Sequence, residues 1–203
     1  MKLYGHPMST CTRKVLTTLA EKSHAADFVM VDITQGHQKS PEYLAKQPFG
    51  VVPYLEDDGF SLYESRAIIR YLDARLPGPR LTPGDAPSFG RMEQWISIEQ
   101  SNFSSPCMML VFETTFRRGG APDPAKLDKG REGCARALDV ADRALMTQGY
   151  LAGDLFSLAD ICWLPYLQYL SATPYGGLIT ERPHVASWWK RIGGRPSWRK
   201  VTG

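Results

Sequence analysis

The sequence lacks every run of about 18 or more apolar residues that a membrane-spanning helix requires, so no transmembrane segment is expected. Charge of one sign is also missing. Its 24 Lys and Arg face 21 Asp and Glu, a net of only +3. Met1 to Arg75 carries nine basic and nine acidic residues, so the small excess lies further on. With no Lys/Arg block, nucleic acid is excluded as a partner. Cysteine is scarce: Cys11, Cys107, Cys134 and Cys162 form no Cys-x-x-Cys pair. None stands at metal-ligand spacing from His6, His24, His37 or His184, so no structural metal is expected. The N-terminus has no apolar stretch of signal-peptide length, so a cytoplasmic protein with reduced thiols is expected. There is no internal repeat and no low-complexity segment.

What is present is ordinary globular material: 203 residues, 43% hydrophobic and 22% charged, enough for two small domains or one large one. Lys2-Leu3-Tyr4-Gly5 is short and β-prone. Val15, Leu16, Leu19 and Ala20 then follow helical spacing. A strand is expected over Asp27–Ile33. Ser40-Pro41-Glu42 combines an N-cap with Pro at the first helical position. Two strands follow around Val52–Leu55 and Ser61–Tyr63, joined by Asp57-Asp58-Gly59, and a helix from about Ser65 to Arg75 closes the unit. The order βαβαββα is the thioredoxin-like arrangement. The Pro/Gly-rich residues 77–87 form a linker. Helical patterns follow over Ser88–Arg117, Pro124–Met146 and Val185–Ile192. Ser157-Leu158-Ala159-Asp160 adds a capping box just after the tight turn at Gly149–Gly153. The fold class expected is therefore α/β plus all-α: a thioredoxin-like domain at 1–76, the linker, and an all-helical domain at 88–203.

Two places in the chain could carry chemistry. Val52-Pro53 begins a strand whose Pro lacks an N–H, so the backbone of Val52 can meet an extended peptide. Glu64-Ser65 then opens a helix, where free N–H groups attract a carboxylate. Together they suit a small acidic peptide. The same residues also suit a plain hairpin followed by a Ser-capped helix, and by themselves they leave both readings open. Ser9-Thr10-Cys11-Thr12 lies where the first strand turns into the first helix. A hydroxyl donor and helix-start N–H groups there would favour a bound thiolate. Ser9 or Thr10 could equally be a simple cap.

The combination resembles a known family. Lys2–Val15, Lys39-Ser40-Pro41-Glu42, Pro48–Pro53 and Glu64–Ile68 are similar, in order and spacing, to the glutathione-binding domain of cytosolic glutathione transferases. The likeness is strongest to the phi class, and the second half resembles that family's helical domain. The resemblance implies a glutathione transferase that adds the glutathione thiolate to apolar electrophiles, with hydroperoxide reduction as a side activity. Glutathione would be a co-substrate, with no metal or prosthetic group. Ser9 would stabilise the thiolate. Gln38 and Lys39 would face the glycine carboxylate, although the family shows His at position 38. Val52 would bind the peptide by its backbone, next to a cis Pro53. Ser65 would hold the γ-glutamyl carboxylate and Glu64 its amino group. Val51 replaces a Gln of the family and loses one donor. Met8, Phe112, Phe116 and Tyr169 would line the electrophile pocket, between the domains. Phe49 would insert into a second copy of the chain, making a homodimer. Two other activities remain open at this point: Cys11-dependent thiol–disulfide exchange with glutathione, and a non-catalytic glutathione carrier. Cys11 itself is expected to pack against the protein.

Overall fold

In the computed structural model, which describes residues 1–203, four strands form one sheet of order β2-β1-β3-β4. They are β1 (Lys2–Gly5), β2 (Asp27–Met30), β3 (Tyr54–Asp57) and β4 (Phe60–Tyr63). β1 runs parallel to β2 and antiparallel to β3, and β3 and β4 form a hairpin. Asp58 and Gly59 turn that hairpin with φ of 49° and 81°, the two left-handed positions of a tight hairpin turn. Helices α1 (Thr10–Glu21), α2 (Pro41–Leu44) and α3 (Ser65–Arg75) complete the expected βαβαββα order.

Sequence and structure differ at two strands for local reasons. β2 stops at Met30 rather than Ile33. The Asp32 carboxylate accepts the Thr34 N–H at 2.8 Å and the Thr34 hydroxyl at 2.6 Å, which turns the chain out of the sheet. β3 starts after Pro53, which has no N–H to enter a ladder. Leu3 and Leu55 are neighbours in the sheet and fully buried. α1 and α3 pack together, and Lys22 Nζ meets Asp73 Oδ1 at 2.6 Å with both side chains buried. Val31, Tyr43, Val52 and Tyr54 form a second cluster, with Tyr4, Ile33 and Tyr63 against it.

The chain divides into two compact units, Met1–Arg80 with Pro196–Gly203, and Leu81–Arg195. The expected division at 88–203 is therefore corrected at both ends. A terminal helix, α10 (Pro196–Thr202), packs on α1, with Trp198 buried and the Ser197 hydroxyl bonded to the Glu21 carboxylate. At the other end, Asp85 caps α4 (Ala86–Ile98) by accepting the Ser88 N–H at 2.8 Å, so the helix begins inside the expected linker.

In the second unit the helix expected over 88–117 is a composite run. α4 widens into a π-helical turn (Glu99–Phe103), returns to α5 (Ser104–Val111) and widens again over Phe112–Phe116. Pro106 cannot return an N–H to the preceding turn, and the first widening lies just before it. α6 (Pro124–Leu145) starts on an Asp123 cap. α7 (Leu158–Ser171) is buried along most of its length and begins on the expected capping box. Asp160 in that box accepts the N–H of Ser157 at 2.9 Å, that of Leu151 at 3.1 Å and the indole of Trp188 at 2.8 Å. α8 (Gly177–Thr180) and α9 (Pro183–Gly193) follow. Phe103 stacks on Trp163 at 4.4 Å, and Trp95 and Trp188 meet the same ring edge-on. No helix is long and apolar enough to cross a membrane.

Candidate active site

The sheet register brings several of the predicted positions to one end. Tyr4 pairs with Tyr54, and Tyr54 with Tyr63. The loop leaving β1 (His6–Ser9), the loop entering β3 (Val51–Pro53) and the residues leaving β4 (Glu64–Ser65) therefore share that end. Gly5 pairs with Met30, so the segment after β2, with Gln38 and Lys39, leaves from it too.

The first of these loops is held along its length. Met8 N–H donates to His6 Nδ1 at 3.2 Å, Ser9 N–H donates to the His6 carbonyl at 2.9 Å, and Arg13 Nε donates to the Pro7 carbonyl at 2.7 Å. Ser9 is the N-cap of α1, its Oγ accepting the Thr12 N–H at 3.2 Å. The plain cap and the thiolate donor weighed as alternatives for Ser9 are compatible, because accepting through a lone pair leaves the hydroxyl proton free to donate. α1 lies close against β1: a Cβ on Gly5 would come within 2.5 Å of Thr12 Cγ2. Cys11, in the first turn, is half-buried and a free thiol.

The second loop carries the cis Val52-Pro53 peptide. The Val52 side chain is buried in the small cluster, while no hydrogen bond within the chain takes its N–H or C=O. Gly50 has φ of 60°, and a Cβ there would lie 2.8 Å from the Gln38 carbonyl and 2.7 Å from Lys39 Cδ, so only glycine fits. Lys39 is exposed, and its Nζ donates to the Phe49 carbonyl at 2.9 Å. Gln38 turns its Oε1 inward, where it is buried without a partner. Val51 leaves its apolar side chain exposed.

The third element is the start of α3. Side chains of Ser9, Ser40, Asp85, Asp123 and Ser157 cap α1, α2, α4, α6 and α7. α3 begins differently, on Glu64 with φ of 69° and no cap bond. A non-glycine residue held there stores about 1–3 kcal/mol of strain. Ser65 therefore opens the helix rather than capping it from outside, and its N–H and hydroxyl are both unspent within the chain.

Residues 3–80 match the family "Glutathione S-transferase, N-terminal domain", and residues 103–196 match "Glutathione S-transferase, C-terminal domain". The chain belongs to the glutathione S-transferase family. This transferase is 41% identical to "Glutathione S-transferase 3" of Zea mays, over 99% of the chain and 92% of the relative. Its fold superposes on the crystal structure of glutathione transferase F7 from Populus trichocarpa with a TM-score of 0.93, at 40% identity, covering 98% of this chain and 96% of that one. It also superposes on glutathione S-transferase I from maize in complex with an atrazine glutathione conjugate, with a TM-score of 0.90, at 33% identity, covering 99% and 95%. The expected resemblance to plant phi-class enzymes is thus shown, as are the thioredoxin-like and helical parts of the fold.

The remaining predicted positions lie on the transferase as follows. In the second unit Phe112, Phe116 and Tyr169 form a continuous aromatic group. Phe112 and Phe116 are 5.7 Å apart and Phe116 and Tyr169 5.6 Å, with Phe112 56% exposed. In the first unit Met8 is 45% exposed beside Ser9. Phe49 is 65% exposed and meets Tyr63 edge-on at 6.0 Å. Two residues that sequence reasoning missed also shape the first unit's site: Tyr43 donates its hydroxyl to the Val51 carbonyl at 2.9 Å, and Gln47 Oε1 accepts the Val51 N–H at 3.3 Å. Their spacing of four on and just beyond a short helix was the only signal available.

Proposed function

We propose that this transferase binds glutathione along the shared end of its sheet and adds the thiolate to an apolar electrophile. One observation carries the reading most strongly: α3, unlike α1 and α2 beside it, starts without a side-chain cap. An uncapped helix start with a free serine suits the γ-glutamyl carboxylate of glutathione. The free N–H and C=O of Val52 then bind the cysteinyl part in an extended, strand-like manner. Glu64 faces the glutathione amino group, and Gln38 and Lys39 the glycine carboxylate. Ser9 donates its hydroxyl proton to the sulfur. A free thiol has a pKa of about 8.5, so this bond raises the thiolate fraction at neutral pH. The thiolate attacks the electrophilic carbon or the strained ring, and the leaving group departs or the ring oxygen takes a proton.

In the first unit Met8, beside Ser9, suits apolar contact with the electrophile; in the second unit the aromatic group of Phe112, Phe116 and Tyr169 suits an apolar substrate as well. Halogenated aromatics, epoxides, isothiocyanates and organic hydroperoxides are the substrate classes in view. Glutathione enters as co-substrate, and the reading calls for no metal or prosthetic group. The place of action is the cytoplasm. The working assembly is a homodimer. The exposed Phe49 is a knob, and the second unit carries a groove of about 340 Å³ lined by Ile98, Asn102, Pro106, Ala137 and Val140 that suits it in a second copy.

Conjugation assays on Ser9→Ala and Cys11→Ala test the mechanism. Loss at Ser9 with activity kept at Cys11 is the expected result. Loss at Cys11 alone would replace conjugation by thiol–disulfide exchange, and an inactive unmutated protein would leave a glutathione carrier.

A further inference from the structure

Three consecutive residues that approach the cis peptide have backbone groups held outside the sheet, Phe49 and Val51 by side chains and Gly50 by a backbone carbonyl. Lys39 binds the Phe49 carbonyl. The Gly50 N–H goes to the Gln47 carbonyl at 3.0 Å. Val51 is gripped at both ends, its N–H by Gln47 Oε1 and its C=O by the Tyr43 hydroxyl. The Tyr43 ring meanwhile packs in the cluster that buries the Val52 side chain. One residue of α2 thus sets both the peptide before Val52 and the seat of Val52 itself. Val52 has no ladder bond of its own to orient its N–H and C=O.

We infer that Tyr43 is a positioning residue for glutathione: its hydroxyl and ring, with Gln47 on the opposite side, orient the Val51–Val52 backbone that binds the peptide. Tyr43 touches neither the sulfur nor the γ-glutamyl carboxylate in this scheme, so it governs affinity and not the thiolate. Burial pushes its hydroxyl up to about 12, so the donor is intact across the neutral and mildly alkaline range. The inference rests on the reading of Val52 as a glutathione contact.

Tyr43→Phe removes the donor and keeps the ring. The Michaelis constant for glutathione should rise about two- to tenfold, the size of one neutral hydrogen bond. Turnover at saturation and the pKa of enzyme-bound glutathione should be unchanged. S-methylglutathione, which has the same peptide and no thiol, should lose affinity by the same factor in calorimetric titration. Gln47→Met, which removes the acceptor of the Val51 N–H at similar volume, should show the same split, and it serves if Tyr43→Phe does not fold. Unchanged affinity for S-methylglutathione in a folded variant would overturn this inference alone. A fall in turnover at constant Michaelis constant would do so too. Failure of the unmutated protein to bind S-methylglutathione would overturn the Val52 assignment and this inference with it.

Discussion

The Ser9 hydroxyl accepts the Thr12 N–H at 3.2 Å, so one oxygen caps α1 while its own proton stays available for a ligand. Structure and chemistry therefore depend on the same atom, and substitution separates them. Ser9→Ala loses both functions. A hydrogen bond to a charged group contributes about 1.5–3 kcal/mol, so turnover should fall about tenfold or more. The lost cap should cost about 1 kcal/mol of stability. Ser9→Asp restores a cap without the donor. Its melting temperature should recover toward that of the unmutated protein while conjugation stays low. A thiolate absorbance titration giving one pKa for bound glutathione in all three proteins would refute the donor role.

Ser65→Ala should act on binding. Its contact is to a carboxylate remote from the reacting sulfur, and binding of that kind is equal in ground and transition states. The Michaelis constant for glutathione should rise while turnover changes little. A collapse of turnover at constant affinity would contradict the assignment.

Glu113 gives a pH-dependent prediction in the second unit. Its carboxylate accepts the Asp123 N–H at 3.0 Å and pairs with Arg117 at 2.6 Å and Lys126 at 3.3 Å, fastening the loop between them. The Asp123 N–H holds it below the ordinary carboxylate range; burial opposes this, and the Lys126 hydrogen bond and the Arg117 and Lys126 charges add to the lowering. A lowered carboxyl contributes stability above its unfolded value and loses it as pH falls through the folded one. Hydrogen-exchange protection of the Asp123 amide should therefore hold down to about pH 4.3, the ordinary Glu value, and fall only below it. Glu113→Gln should already lack this protection at pH 7 and be cleaved faster by trypsin after Arg117 and Arg118.

Asp73→Ala should be among the most damaging changes in the first unit. It leaves Lys22 buried with its charge uncompensated, at a cost of about 3–5 kcal/mol. Replacing both partners by apolar residues of similar volume should restore most of that loss. Denaturant midpoints of the single and double variants decide the matter.

Phe49→Ala should shift a concentration-dependent equilibrium toward monomer, since a central buried aromatic contributes about 2 kcal/mol or more to an interface. Sedimentation that finds the unmutated protein monomeric at micromolar concentration would end the dimer reading. The glutathione site would survive it, because every residue named for that site comes from one chain.

The sequence by itself determined the parts of this protein that obey short-range rules. Ser40-Pro41 and the Ser157/Asp160 box cap their helices because a hydroxyl and an N–H a few residues apart meet whatever surrounds them. Asp58-Gly59 makes its hairpin because those two positions need left-handed backbone. The order of elements, and with it the family likeness around Ser9, Val52 and Ser65, followed from the same local signals. Only the tertiary structure decided which of these groups were spent. Strand register brought Ser9, Val52 and Ser65 to one end of the sheet. It also left α3 uncapped, by holding Glu64 at a φ of 69° that no local preference would select. Helix packing drew Pro196–Gly203 back onto α1 across the whole second unit, a contact between residues 176 positions apart at Ser197 and Glu21. The grip of Tyr43 and Gln47 on Val51 arose in the same way. A tyrosine on a four-residue helix reads as ordinary core until the register of β3 sets its carbonyl partner within reach of the hydroxyl.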